Sequence, residues 1–455
     1  MTRAARTLPA LLALLGCASS ATPATPDAAA PVDAAPVDVA PVDAPAPDAD
    51  GPASTVRFGA PTCFPAAPQI DRVVAGDVDR DGRVDAVLEY RASAAYPGAA
   101  SGYGYARNAA AAGAPGFEAR VDHLSSGDAP LVASAATQLV DLDGDGRPEL
   151  VRNERWWRNG QTAPGPLTDA TFAGPGQLFV SGDGFVAPDP ATLAVADLDR
   201  DGLVDLASVQ TPMGCNVLVY PNRGPAAAPA FGAQQIVRVY VRTLTRCTSL
   251  AVGDLDGDGR PDVVATSDNP DRGSGEQGFA ALPNASSPGR LSGSSFGPPV
   301  HWTTAAAGER RSTAGARLAD FDGDGRLDLF YTLTSPDAPG ARGALRLNAG
   351  GAGLTADTLG PAVDLPGDLG AATAVVDLDG DGRPDLAAAD DDQVTTLQNL
   401  TPRGGPASAV RFAARSLVLD VGSRGPAFAD VDGDGRADVV YARDAAFCVL
   451  RNTTP

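Results

Sequence analysis

The sequence predicts an all-β chain, a seven-bladed β-propeller of four-stranded blades closed by an N-terminal strand that completes the last blade. Three observations lead there. A nine-residue acidic pattern recurs seven times. Each copy sits between short apolar runs of strand character. The last repeat lacks a fourth strand, and a segment ahead of the first repeat can supply it.

The pattern is D-x-D-x-D-G-x-x-[DE], with spacings of 64, 56, 57, 66, 57 and 53 residues between its seven copies. Such a period is the mark of a repeat architecture. Each copy follows a run such as "RVVAG" or "TLAVA" and precedes another such as "AVLEY", "VVATS", "LFYTL" or "VVYAR". A third run ends near asparagine, as in "NVLVYPN", "ALRLN" and "FCVLRN", and a fourth often opens with Phe, as in "FGAQQIVRVYV" and "RFAARSLVLD". The runs are five to ten residues long, rich in Val, Leu and Phe and punctuated by Gly, Pro and Asp. That composition and length read as strands, with the acidic loop between the first strand and the second.

The candidate metal ligands are Asp77, Asp79, Asp81 and Asp85 in repeat 1, and Asp141, Asp143, Asp145 and Glu149 in repeat 2. Repeat 3 supplies Asp197, Asp199, Asp201 and Asp205, and repeat 4 supplies Asp254, Asp256, Asp258 and Asp262. Asp320, Asp322, Asp324 and Asp328 follow in repeat 5, Asp377, Asp379, Asp381 and Asp385 in repeat 6, and Asp430, Asp432, Asp434 and Asp438 in repeat 7. Two carboxylates about 4 Å apart repel by roughly 4 kcal/mol at an effective dielectric near 20, so a short loop gathers four only against a counter-charge. Hard oxygen donors at alternate positions suit calcium, with Gly at position 6 for the sharp turn, the carbonyl of position 7 and a carboxylate at position 9. Magnesium prefers to keep its waters, and zinc would want Cys or His, which no loop contains. An EF-hand needs a bidentate Glu at position 12, where this chain has Leu88, Arg152, Ser208, Ala265, Tyr331, Ala388 and Tyr441.

The same loops account for the charge. The formal net charge is −21, and the seven loops of four hold 28 of the 56 acidic residues. About seven calcium ions would add 14 positive charges to the −21 and leave −7. Metal binding and folding are therefore expected to be coupled. So acidic a chain is a poor candidate for nucleic-acid binding.

The chain ends favour a ring over a rod. After Asp438 only 17 residues remain, enough for two strands. Before the first loop stands "VRFGAPTCFPAAPQIDRVVAGDVD" (56–79), which matches "VRFAARSLVLDVGSRGPAFADVD" (410–432), the fourth strand of repeat 6 leading into loop 7. The displaced strand can complete the last blade and leave only short sheet edges.

Repeats of the form "FG…D-h-D-G-D-G-x-x-D-h-h" resemble FG-GAP/VCBS repeats, the calcium-loop blades of integrin α-subunit propellers and of many bacterial surface proteins. The nearest stretch is "RFGAP…VVAGDVDRDGRVDAVL" (57–88), and the resemblance covers about residues 56–455. It implies the propeller fold and the calcium ligands position by position. It implies no ligand or partner.

The start, "MTRAARTLPALLALLGC", has Arg3 and Arg6, an apolar run from Leu8 to Leu15 and then Gly16–Cys17, the form of a secretory signal. Its "LLGC" ending resembles a bacterial lipobox, with Leu14 at −3 and Cys17 as the lipidated residue. Ala18 after the cysteine suggests, by the habit of lipoproteins, the outer membrane or cell surface. Residues 18–55 are rich in Ala, Pro and Asp and read as a disordered or extended tether. In polyproline geometry it could reach on the order of 100 Å. The membrane is thus expected as a partner through the N-terminal lipid only.

Catalysis finds little support, and the chain is read as not an enzyme. His123 and His301 each fall near the end of a predicted fourth strand, and no G-x-S-x-G, H-E-x-x-H or P-loop occurs. Trp156, Trp157 and Trp302 could stack on sugars, yet "RWWRN" sits where a third strand belongs, so packing is expected there. The leading reading is a binding, adhesion or scaffold module for an unidentified protein or glycan, and the alternative is an extracytoplasmic hydrolase or lyase using the propeller as a platform. The longest loops between second and third strands are 91–104, 267–278 and 334–343, which makes the face opposite the metal the expected docking face, around Tyr96, Tyr103, Asp271 and Arg272.

Apart from Cys17 the chain has Cys63, Cys215, Cys247 and Cys448, which allow three pairings or four free thiols. The propeller arrangement selects Cys63–Cys448, on neighbouring strands of the last blade, and Cys215–Cys247, between a third strand and the approach to the next blade.

Overall fold

A computed structural model describes residues 56–66, 70–90, 102–109, 115–124, 137–152, 155–172, 177–178, 192–210, 215–224, 229–239, 246–268, 278–304, 312–335, 338–367, 369, 373–390, 393–418, 423–443 and 445–454. The expected signal peptide (1–17, with Cys17) and tether (18–55) lie outside the described residues.

The described chain is all-β, and helical structure amounts to single 3-10 turns such as Gly293–Ser295 and Ala407–Ala409. The strands pair antiparallel into five four-stranded sheets and one eight-stranded sheet. Repeat 1 is typical, with Ile70–Gly76, Asp85–Tyr90, Gly102–Ala106 and Val121–Leu124 side by side in chain order. The eight-stranded sheet holds the four strands of repeat 4 and the four of repeat 5, joined by the single pair Asp268–Ser312.

In repeat 7, Ser423–Ala429, Asp438–Arg443 and Ala446–Leu450 are followed not by a later strand but by Thr62–Pro65 from the other end of the described chain. The register sets Cys63 opposite Cys448 and Phe64 opposite Phe447. Phe58 bridges Asn452 just as Phe117 bridges Asn108 and Phe231 bridges Asn222 inside their own repeats. The Phe that precedes a fourth strand therefore often anchors to the asparagine of the third, and the strand itself begins a few residues later.

The second and third strands read as near-continuous apolar runs because both faces of each sheet are covered. Successive side chains point to opposite faces. Val440 accordingly packs with Val73, Leu88 and Ala106 of repeat 1, while Val439 packs with Leu378 and Ala387 of repeat 6. Seven buried clusters follow this rule, each shared by two successive repeats, the one between repeats 7 and 1 included.

One predicted loop is largely strand. Of 334–343, all but 336–337, which lie outside the described residues, belong to the strands Asp328–Ser335 and Ala338–Arg346, which pair with Ser335 opposite Ala338.

Candidate metal centres

Each acidic loop is organised by the aspartate at position 1. In repeat 1 the N–H groups of Asp81 and Gly82 donate to Asp77 Oδ1 and Oδ2, at 3.1 and 2.8 Å. Repeat 5 matches, with Asp324 and Gly325 donating to Asp320 at 3.0 and 2.8 Å. The glycine at position 6 is left-handed in all seven loops, from φ 77° at Gly382 to 87° at Gly202, Gly325 and Gly435. A side chain there would meet its following carbonyl, which costs about 1–2 kcal/mol. Position 4 is also left-handed. Five loops use glycine there, and two use Arg80 (φ 61°) and Arg200 (φ 55°).

The turn draws positions 1, 3 and 9 together. Asp77, Asp79 and Asp85 each bring one oxygen within 4.8 Å of the others, and so do Asp141, Asp143 and Glu149. Asp197, Asp199 and Asp205 form such a group, as do Asp254, Asp256 and Asp262, and Asp320, Asp322 and Asp328. The longer Glu149 reaches the same place as the aspartates.

The carboxylate at position 9 also has a structural task. One oxygen accepts the N–H of position 2, as from Val78 to Asp85 at 2.9 Å. The other accepts the N–H of the asparagine ending the third strand, from Asn108 to Asp85 at 2.8 Å. Both bonds recur in every repeat, through to Val431 and Asn452 on Asp438 at 3.0 and 2.7 Å. A carboxylate oxygen has a second lone pair, so these bonds leave room for a cation. Burial pushes Asp85, Glu149, Asp205, Asp262, Asp328 and Asp438 up to about 7, and Asp385 up to about 8. Backbone donors offset part of that rise. Their negative charge is costly where they stand, and a nearby cation is what would relieve it.

The asparagine has a role that its sequence position did not announce. Its side-chain amide donates to the position-2 carbonyl of the preceding repeat: Asn159 to Val78, Asn284 to Leu198, Asn348 to Leu255, Asn399 to Phe321 and Asn452 to Leu378, at 2.6–2.8 Å. Asn108 of repeat 1 does the same to Val431 of repeat 7, at 2.7 Å. Six of the seven acidic loops are thereby tied to the sheet of the next repeat.

Position 5 behaves differently from positions 1, 3 and 9. Its carboxylate pairs with the arginine at position 7 in six loops: Arg83–Asp81, Arg147–Asp145, Arg260–Asp258, Arg326–Asp324, Arg383–Asp381 and Arg436–Asp434. A second set of arginines was missed by the sequence reading. Arg107, Arg158 and Arg451 stand directly before the third-strand asparagine and pair with position 3, at Asp79, Asp143 and Asp432. The signal was present as a recurring "RN" dipeptide in "ARN", "WRN" and "LRN".

Repeat 3 supplies the test of whether these residues suit a cation. In the other six loops Oδ1 of position 3 accepts the N–H of position 5, at 3.1–3.2 Å. Asp199 is 1% exposed, and its Oδ1 is buried without any hydrogen-bond partner. Leaving such an oxygen unsatisfied costs at least about 1–3 kcal/mol. An all-oxygen site with an unsatisfied carboxylate fits a hard divalent cation.

The remaining candidates are placed as follows. His123 and His301 lie on the fourth strands of repeats 1 and 4, in separate sheets. Trp156 and Trp157 are buried in the third strand of repeat 2. Trp302 is buried, stacks on Phe279 with centroids 5.2 Å apart and donates from Nε1 to the Ala356 carbonyl. Tyr103 corrects an expectation: it is a core residue at 1% exposure on the third strand of repeat 1, with no surface to offer a partner. Tyr96, Asp271 and Arg272 lie outside the described residues. Both expected disulfides are formed, Cys63–Cys448 across one strand pair with Cα atoms 4.0 Å apart, and Cys215–Cys247 at 4.7 Å.

A family model described as the FG-GAP-like repeat matches residues 197–265 and 377–441, which run from loop 3 into repeat 4 and from loop 6 into repeat 7. No curated protein matches the chain. Among solved structures it is similar to the TcdB2-TccC3-Cdc42 crystal structure, with 18% identity over 69% of this chain and a TM-score of 0.33. It spans only 14% of that chain. It is also similar to an endo-arabinase from Bacteroides thetaiotaomicron VPI-5482, with 11% identity over 79% of this chain and 99% of the other, at a TM-score of 0.31. Over residues 197–265 and 377–441, this chain carries FG-GAP-like repeats.

Proposed function

We propose that this chain is a calcium-stabilised seven-bladed β-propeller, exported and lipid-anchored at Cys17 to the bacterial outer membrane or cell surface, where it acts as a binding, adhesion or scaffold module for a protein or glycan. The observation that carries the calcium reading is the gathering of positions 1, 3 and 9 in loop after loop, with a buried orphan oxygen at Asp199. Closure into a ring is supported by Asn108 bonding Val431, by the buried cluster common to repeats 7 and 1, and by the Thr62–Pro65 strand in the last sheet. The two disulfides favour an oxidising compartment outside the cytoplasm. Among the described residues, no helix is long and apolar enough to cross a membrane. The lipid anchor rests on the "LLGC" ending at Cys17.

The binding reading is preferred to hydrolysis because the residues a sugar-processing site would use first are committed elsewhere. The three tryptophans pack in cores, and carboxylates of the acidic loops are held by loop backbone and arginine. A screen of the calcium-loaded chain on glycan and protein arrays, with polysaccharide turnover followed in parallel, tests it. Calcium-dependent binding without product release is expected. Calcium-dependent release of sugars would establish the hydrolase or lyase alternative instead.

A further inference from the structure

We infer that the seven loops do not bind calcium equally: repeat 3 takes the first ion and repeat 1 the last, because the chain's own arginines already occupy the electrostatic place of the metal to different degrees. This rests on the calcium reading and deepens it.

Repeat 1 is the most neutralised. Arg107 bridges two expected ligands, with Nε 2.5 Å from Asp79 Oδ2 and Nη2 2.7 Å from Asp81 Oδ2. Arg83 adds a second guanidinium on Asp81, at 2.9 Å. Asp79 Oδ2 also accepts the N–H of Gly165 from repeat 2, at 2.8 Å. A calcium ion must compete with two fixed cations for the same oxygens.

Repeats 2 and 7 each have one arginine on position 3 and one on position 5. Repeat 6 replaces the first with the neutral Gln398, whose Nε2 lies 2.5 Å from Asp379 Oδ2. In repeats 4 and 5, Pro283 and Leu347 precede the asparagine, and among the described residues the ion pairs of these loops are those of the position-7 arginines with Asp258 and Asp324.

Repeat 3 stands at the other end. Leu203 replaces the position-7 arginine of the six other loops. The guanidinium of Arg223 has Nη1 3.9 Å from Asp199 Oδ2 but turned to the carbonyl of Gly289, at 2.6 Å, while Nη2 donates to that of Leu291, at 3.2 Å. Asp199 Oδ2 accepts the N–H of Leu291 at 2.8 Å, and its buried Oδ1 is the oxygen without a partner. Attraction between opposite charges falls when one partner is already paired, so affinity should rise as the arginines drop away from repeat 1 to repeat 3.

Equilibrium dialysis of the decalcified full chain against buffered free calcium tests this, with ions per chain counted at each concentration. Leu203→Arg restores the residue the other loops use, and it should move one ion out of the tightest class with about tenfold weaker binding. Arg107→Met should move one ion from the weakest class to a tighter one. If Leu203→Arg leaves the binding curve unchanged while the wild-type chain takes up several ions, the ranking is wrong and the calcium reading stands. A wild-type chain that takes up no ion at any concentration overturns both. Leu203→Arg carries the test even if Arg107→Met fails to fold.

Discussion

The side-chain amide of Asn108, in the first repeat, donates at 2.7 Å to the backbone carbonyl of Val431, in the last. Five other asparagines make the same bond between consecutive repeats, so this one treats repeats 7 and 1 as neighbours like any others. Removing a buried donor leaves its acceptor unsatisfied, at about 1–3 kcal/mol. Asn108→Ala and Asn348→Ala should therefore lower stability by similar amounts in urea unfolding. A loss at Asn348 with none at Asn108 would mean that the ends of the repeat array do not meet.

The Cys63–Cys448 bond closes a separation of 385 residues and Cys215–Cys247 one of 32. In the chain-entropy description these correspond to about 6 and about 4 kcal/mol, and measured effects are often smaller. The pair substitution Cys63→Ser with Cys448→Ser should depress the melting temperature more than the corresponding pair at Cys215 and Cys247, as followed by calorimetry. The reverse order would show that the long clasp adds little to a sheet already held by its ladder.

Two glycines separate backbone from packing effects. Gly82 has φ 84° and open space where a Cβ would stand, so Gly82→Ala should cost about 1–2 kcal/mol through conformation alone. Gly146 has φ 83°, and its Cβ would meet the Arg80 guanidinium at 2.7 Å. Gly146→Ala should cost more, and Arg80→Ala in the same chain should return part of the difference. Thermal melts of the three variants check this.

The carboxylate of Asp328 holds the N–H groups of Phe321 and Asn348, both buried, at 2.8 and 2.7 Å. Asp328→Ala strands two donors at about 1–3 kcal/mol each, whereas Asp324→Ala removes a carboxylate paired with an exposed arginine. In calcium-free buffer the first should be clearly the more destabilising. Equal effects would mean that position 9 serves the metal alone.

What the sequence made legible was the part written in local spacing. The acidic loops, the strands around them and the displaced strand at Thr62–Pro65 are all short-range or repeat signals, and together they placed Cys63 beside Cys448. What it hid depends on partners far along the chain. Asn108 looks like a strand terminator until Val431 is beside it, 323 residues away. Arg107 reads as a surface charge until the third strand brings it back to Asp79. "SGYGY" reads as loop because its glycines are small and polar-flanked, yet Tyr103 and Tyr105 alternate with them as buried strand residues. The described residues of 334–343 likewise lie in two paired strands, where Pro and Gly suggest a loop.

The most direct test is calcium itself. Seven loops carrying 28 carboxylates should leave the metal-free chain strongly self-repelling, so excess EGTA should lower the melting temperature markedly and added calcium should restore it. Metal analysis of the calcium-loaded chain should find about seven ions, and Asp379→Ala should remove one of them while the others stay. Melting curves that coincide with and without chelator would contradict the account.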